Sequence, residues 1–193
     1  MTPSFLKRLS QPRPDPGGGA AAAYGGMLAL ALLEKVAQLE LGRPSNKEKR
    51  QEWEEKLARI RQLTGDLDRL REEDVRAYAQ MVQARGSGSS RPEFQEAVEH
   101  GLEVPREIMA RAWEALNLVG WAGVRCQKHL LSDLQVAREF LMAALQGAYH
   151  IARANLPLLA QEVRQQGFSR ILQRDADKGR KAYQDAGEVL AGR

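Results

Sequence analysis

One carboxylate falls on a helix face that its neighbours mark as buried. Asp74 lies in LREEDVRAYAQMV, and a helical period places it on one stripe with apolar and aromatic residues, namely Leu67, Leu70, Tyr78 and Met81. Burial disfavours the charged form of a carboxyl group and raises its pKa, so such a group can serve as a general acid or base. Judged from these residues alone, two other arrangements are more common: the stripe reaches solvent at Asp74, or Asp74 pairs with an arginine.

Three consecutive glycines, Gly17, Gly18 and Gly19, precede a segment rich in alanine and leucine. They do not form the GxGxxG pattern, no predicted strand comes before them, and the lysine of a phosphate-binding loop is missing, which argues against a dinucleotide or P-loop site. Glycine permits close approach of a ligand to the backbone, and the free N–H groups at a helix start favour anions. The alternative is a turn that simply joins two helices.

Ser132 and Asp133 stand at the predicted start of another helix. Ser132 and Gln135 have the spacing of a capping box, with Ser132 as the N-cap. An acid in the first turn interacts favourably with the helix dipole, which suffices to explain Asp133. From the residues alone, neither position requires a ligand.

The sequence lacks the residues that several kinds of chemistry require. The histidines His100, His129 and His150 do not have a metal-ligand spacing, and no GxSxG elbow occurs. The single cysteine, Cys126, excludes an internal disulfide and a cysteine-based zinc site. We therefore predict neither a metal site nor nucleophilic catalysis, and no bound cofactor.

The elements that must position these residues are helical. The chain has 193 residues, of which 43% are hydrophobic and 6% aromatic, and alternating runs typical of strands are absent. We predict an all-α, single-domain bundle of five to six helices over residues 1–193. The predicted helices cover about residues 3–10, 19–41 and 47–85, a segment from 93 with a kink or division at Pro105, a segment from 132 with a kink near Pro157, and 169–190, with a flexible break at 86–90.

Charge and hydropathy limit the kinds of partner that the protein can have. The formal net charge is +4, but basic residues are interleaved with acids, as in NKEKRQEWEEKLARIRQ, which is typical of a solvated helix face and not of a nucleic-acid site. The longest apolar run, Met27–Leu33, is too short to span a bilayer, and no signal peptide is recognisable at the start. We expect a cytoplasmic protein without a membrane or nucleic-acid partner.

Three segments, in order, resemble one known family. PDPGGGAAAAYGGMLALALLEKVAQL resembles the PTPGGG signature of the formiminotransferase-cyclodeaminase C-terminal domain family, which includes cyclodeaminases and methenyltetrahydrofolate cyclohydrolases. EEDVRAYAQMV is similar to that family's D-x-x-A-F segment, with Tyr78 in place of Phe. SDLQVAREFLMAALQGAYHIARANL is similar to its SDLQVAA…GAY…NL segment, with Asp133 and Asn155 at matching positions.

The resemblance implies an all-helical fold, a homodimer and a groove for a folate substrate. It implies chemistry at the carbon that bridges N5 and N10 of tetrahydrofolate, either cyclohydrolase or cyclodeaminase, with Asp74 as the general acid/base and without a metal or redox cofactor. The substrate-binding residues it implies are Pro16, Gly17, Gly18, Gly19, Tyr78, Ser132, Asp133 and Asn155. We expect the three glycines to form a wall opposite Asp74, and basic groups to lie near the anionic glutamyl tail.

The chain also departs from the family pattern. Gln127, His129 and Ile151 stand where family members often carry asparagine. An alternative function is therefore a diverged, non-catalytic protein that binds a folate or another pterin. A helical module that binds partner helices is a third hypothesis, although amphipathic stripes are more often simple core.

Overall fold

The computed structural model describes residues 4–86 and 91–193, and the side chains of residues 45–47 are not described. Within those ranges the chain is all-α and contains no strand. The six helices are α1 Phe5–Leu9, α2 Gly18–Leu41, α3 Arg50–Arg85, α4 Pro92–Arg125, α5 Leu131–Asn155 and α6 Glu162–Ala191. Short 3-10 helices at Pro44–Lys49, Lys128–Leu130 and Leu156–Leu158 join them.

The long helices pack around a core of leucine and alanine. Helix α2 packs against α3 and α5, while α4 packs against α3, α5 and α6. The first turns of α2 carry the fully buried Ala20 and Ala23, whose small side chains let neighbouring helices come close. This close packing brings the start of α2 against the middle of α3.

The predicted all-α fold class is confirmed, but several helix boundaries differ from the predicted ones. Pro105 lies inside one continuous helix, α4, and α6 begins at Glu162 instead of 169. Helix α5 ends at Asn155 and Pro157 sits in a 3-10 helix, so the chain is interrupted there and not merely kinked. Gly86 ends α3, and the rest of the predicted break, residues 87–90, lies outside the described residues.

The predicted capping box at Ser132 is wrong. A 3-10 helix over Lys128–Leu130 runs directly into α5, so the helix begins at Leu131 and its N-cap is Leu130. Ser132 is therefore a helical residue, and its exposed side chain does not cap the helix.

One helix within the described residues has the length and composition of a membrane span. Helix α2 has a mean hydropathy of 1.4 over its most apolar window, and 50% of that window is buried inside the protein. Packing against α3 and α5 is enough to explain the apolar composition of the buried half.

Candidate active site

The Asp74 carboxylate lies at the start of α2. The N-cap of that helix is Gly17, which has no side chain to accept from the free N–H groups of the first turn. Asp74 Oδ2, on α3, accepts a hydrogen bond of 2.8 Å from the backbone N–H of Ala20. A carboxylate from another helix thus takes the place of a local cap.

Glycine is required where the two helices meet. A Cβ atom built on Gly19 would lie 2.5 Å from Asp74 Cγ, and closer still to one carboxylate oxygen. A Cβ atom built on Gly18 would lie 2.9 Å from the Ile151 side chain on α5. Gly19 therefore lets α2 lie directly against Asp74, whereas at Gly18 a methyl group would only require the end of the Ile151 side chain to shift. The wall of glycines facing a substrate stays a prediction.

The environment of Asp74 favours the neutral acid. Burial raises the pKa of the Asp74 carboxyl, and the hydrogen bond from Ala20, which favours the charged form, offsets only part of that rise. Among the described residues, no arginine or lysine forms an ion pair with Asp74, so the expected alternative of an arginine partner is not found. A carboxyl with a raised pKa can exist in both protonation states nearer to neutral pH.

Asp74 and the glycines line a cleft of about 250 Å³ between the start of α2 and helices α3, α4 and α5. Of the predicted site residues, Gly17, Gly18, Gly19, Asp74, Tyr78 and Asn155 line this cleft. Pro16 is buried directly beside it in the chain. The backbone around the three glycines thus forms one wall and α3 forms another.

Two predicted binding residues are placed differently within this cleft. Tyr78 is 41% exposed, so its ring is available to a ligand that enters. Asn155 donates a hydrogen bond of 2.8 Å from Nδ2 to the carbonyl oxygen of Gly101. That bond fixes the end of α5 to α4, so Asn155 supports the shape of the cleft.

The structure does not bring Ser132 and Asp133 to this cleft. Both lie in the first turn of α5, whereas Asn155 is its last residue, and a helix of that length separates the two ends by about 33 Å. Asp133 instead forms an ion pair of 2.8 Å with Lys35. A binding role for these two residues stays a prediction.

The three positions that replace asparagines do not all lie at the cleft. Gln127 and His129 lie in the connection between α4 and α5, where the Gln127 backbone N–H donates to the fully buried Glu40 at 2.9 Å. Glu40 belongs to the last turn of α2, far from Gly18. Ile151, in contrast, lines the cleft, so only this replacement changes its surface.

Sequence reasoning missed part of the cleft. The missed lining residues are Pro14 and Asp15, which precede α2, and apolar or small residues from three helices: Ala77, Met81, Gly101, Val104 and Ala154. Met81 was recognised only as a member of the Asp74 stripe, and the helical period that could have indicated Ala77, three residues after Asp74, was not applied to it. Nothing in the local sequence marks Gly101 or Ala154, because their place depends on how α4 and α5 pack.

The cleft offers acid–base chemistry and backbone contacts. Asp74 can give or take a proton, and the cleft walls around it are largely apolar, which excludes bulk water from a small ligand. Within the described ranges, no group of three histidine, cysteine, aspartate or glutamate side chains is placed to hold a metal ion. A metal-free site stays a prediction.

Comparison with known proteins identifies similar chains. The profile of the family described as Formiminotransferase-cyclodeaminase matches residues 1–173. A methenyltetrahydrofolate cyclohydrolase of Methylorubrum extorquens is 27% identical over 153 residues, which cover 75% of this chain and 74% of that protein. The formimidoyltransferase-cyclodeaminase of Mus musculus is 28% identical over 171 residues, covering 82% of this chain and 31% of the mouse protein, so the chain spans about a third of that relative.

A solved structure shares the fold. The formiminotetrahydrofolate cyclodeaminase of Thermotoga maritima superposes with a TM-score of 0.90 at 23% identity, over 97% of this chain and 94% of that one. All six helices described above therefore belong to a known arrangement.

Proposed function

Because the chain belongs to the formiminotransferase-cyclodeaminase family, we propose that it is a folate one-carbon enzyme with Asp74 as its general acid/base. The substrate is a tetrahydrofolate whose N5 and N10 share, or come to share, a one-carbon unit. The observation that carries the proposal is the Asp74 carboxyl, with its raised pKa, held by Ala20 inside a cleft walled by glycine backbone.

In the cyclohydrolase reaction, water adds to the methenyl carbon, and the bond between that carbon and N5 then breaks. The ionised Asp74 accepts a proton from the attacking water and returns it to N5 as the bond to N5 breaks, and the hydroxyl proton of the intermediate is released to solvent as the formyl C=O forms. In the cyclodeaminase reaction, N10 attacks the formimino carbon and its proton passes to the former imine nitrogen. Protonated Asp74 donates a second proton to that nitrogen, which leaves as ammonia as the bond between it and the carbon breaks. Both directions need a carboxyl that changes its protonation state, which a raised pKa favours.

The cleft dimensions suit the reactive end of such a substrate. Its volume of about 250 Å³ is below the range of about 300–1,000 Å³ that encloses a drug-sized ligand. We infer that the pterin and the one-carbon bridge occupy it, with Tyr78 beside the ligand at the mouth. Of the two reactions we favour the cyclohydrolase, because the match with the relative from Methylorubrum extorquens covers about three quarters of this chain and of that protein.

Turnover tests this proposal directly. Methenyltetrahydrofolate loses its absorbance as the ring opens, so the rate above spontaneous hydrolysis measures the cyclohydrolase reaction. Asp74→Asn should lower kcat by about 10²–10⁴-fold, the usual contribution of general acid–base catalysis. Asp68→Asn, which alters an exposed aspartate on the same helix, should leave the rate unchanged.

Ammonia release from formiminotetrahydrofolate tests the cyclodeaminase direction with the same two variants. If wild type and Asp74→Asn are indistinguishable from buffer in both assays, the catalytic proposal is wrong.

One observation favours a second candidate, a folate-binding protein without catalysis. Ile151 places an apolar side chain in the cleft where related chains often carry a polar asparagine, so a hydrogen-bonding group is lost from the cleft wall. Calorimetric titration that shows saturable folate binding, together with no turnover in either assay, would support this candidate. Turnover that depends on Asp74 would exclude it.

A further inference from the structure

The cleft at Asp74 leaves part of a tetrahydrofolate outside. A volume of about 250 Å³ accommodates the pterin end but not the aminobenzoyl ring and the glutamate as well. The glutamate carries two carboxylates, which need a hydrated or cationic surface. If the proposed function holds, the tail lies outside the cleft, where a cationic surface close by could bind it.

A groove of about 440 Å³ lies across the last turn of α5 from the cleft. One side is formed by Arg153, Leu156 and Pro157 at the end of α5 and the 3-10 helix after it, and the other by the first half of α6, including Arg170. The cleft uses Ile151, Ala154 and Asn155 of that same turn. The two concavities thus share one turn of helix as a common wall.

The lining of this groove is cationic. Arg153 and Arg170 supply its charges, and the remaining polar side chains are neutral: Gln165, Gln166 and Ser169. In the part of the chain that the structure describes, neither guanidinium forms an ion pair, although Arg153 lies 5.7 Å from the centre of the Tyr149 ring. Two positive groups therefore face the groove without a carboxylate to neutralise them.

The neighbouring concavities differ in this respect. A groove of about 530 Å³ between α3 and α4 is lined by Glu93, Glu96 and His100 and has no arginine or lysine in its lining. A third, along α6, adjoins the groove beside the cleft through the shared Ser169 and Arg170, and its lining adds Asp177. Among the concavities described here, only the groove beside the cleft combines unpaired cations with a lining free of acids.

We propose that this groove binds the carboxylates of the substrate's glutamate, with Arg153 and Arg170 as the residues that recognise them. An α-helix with its side chains is about 10–12 Å across, a distance comparable with the aminobenzoyl linker that separates pterin from glutamate. Ala154 is exposed and has a small side chain, so the aminobenzoyl linker can cross the last turn of α5 from the cleft to the groove. Arginine suits this role because its planar guanidinium binds a carboxylate through two parallel hydrogen bonds.

Paired ligands test the inference, which rests on the proposed function. Calorimetry would compare 5-formyltetrahydrofolate with the same compound lacking the glutamate, 5-formyltetrahydropteroate. Arg153→Gln and Arg170→Gln should each weaken binding of the first ligand by about three- to tenfold, because exposed charge pairs contribute modestly, and leave the second unchanged. Arg153→Lys should restore part of the loss, since it keeps the charge.

Arg174→Gln is the matched control. It removes an arginine one turn further along α6, outside the groove and paired with Asp175, so it should not affect either ligand. Equal binding of both ligands by wild type, or equal effects of the groove variants on both, would overturn the tail site and leave the proposed function standing. If wild type binds neither ligand, the proposed function fails, and this inference fails with it.

Discussion

Asp74 is subject to two opposed influences. Burial destabilises its charged form, while the Ala20 N–H stabilises it. The helical stripe in the sequence predicted a buried carboxyl with a raised pKa; in the structure Asp74 is partly buried, Tyr78 on the same stripe is exposed, and partial burial is enough to raise the pKa of Asp74. The Ala20 partner could not be predicted, because it depends on where along α3 the start of α2 comes to rest.

Replacing Asp74 should make the fold more stable at neutral pH. Since burial raises the pKa of Asp74 in the folded protein, ionisation favours the unfolded chain, where the carboxyl titrates near its ordinary pKa of about 3.9. Asp74→Asn removes that cost, and the amide oxygen can still accept from Ala20. Thermal unfolding at pH 7 should show a melting temperature higher by roughly 2–4 °C for each kcal/mol recovered.

The stability gain of Asp74→Asn should depend on pH. Below pH 3.9 or so, Asp74 is protonated in both the folded and unfolded states, so the gain of Asp74→Asn over wild type should disappear. Asp68→Asn, at an exposed carboxylate, should show no such gain at neutral pH. A variant that is less stable than wild type at pH 7 would show that Asp74 is mainly a helix cap.

At the scale of elements, the site depends on how closely α2 meets α3. The sequence predicted a helix from about Gly19, and α2 indeed begins at Gly18. The family resemblance placed all three glycines opposite Asp74 but did not single out Gly19, since a helix start can rotate or slide by a residue without a change in local pattern. The contact between a glycine Cα and a carboxylate is therefore a product of tertiary packing.

Gly19→Ala should separate the two helices at this point. The added methyl would overlap the Asp74 carboxylate, so the carboxylate must turn away and lose its hydrogen bond from Ala20. We expect the free energy of unfolding to fall by about 1–3 kcal/mol, the cost of an unsatisfied buried group, and turnover to fall at least about tenfold. Chemical denaturation and the methenyltetrahydrofolate assay would measure the two effects.

Gly65→Ala provides the comparison on α3. A Cβ atom there meets nothing within 4 Å, and alanine favours helix over glycine, so this variant should be slightly more stable and fully active. Equal activity of Gly19→Ala and wild type would contradict the proposed geometry.

For the whole molecule, the segments that carry the family resemblance divide between two ends. Gly17–Gly19, Asp74 and Asn155 gather at one end, while Ser132 and Asp133 lie about 33 Å away at the start of α5. The sequence already implied this separation, because Asp133 and Asn155 lie near opposite ends of one predicted helix within the SDLQ…NL segment. Within one chain, a ligand in the cleft does not reach Asp133.

Helices α2 and α5 share an exposed apolar face that runs between those two ends. On α2, positions spaced four and three apart are partly or fully exposed: Ala21, Gly25, Leu28, Leu32, Lys35 and Leu39. On α5, Val136 is 47% and Phe140 is 39% exposed. Spacing of this kind is typical of a seam that packs against another helix.

We propose that this face forms the homodimer interface, with a two-fold axis across the middle of α2 and α5. Such an axis pairs the two copies antiparallel and brings the partner's Asp133 to the end that holds the cleft, which would reconcile its predicted binding role with its position.

Leu28→Glu and Phe140→Glu should convert a dimer to monomers, as measured by light scattering after gel filtration. Val163→Glu, at an 81% exposed position on α6, should not. A wild-type monomer, or dimers that survive both substitutions, would contradict this interface.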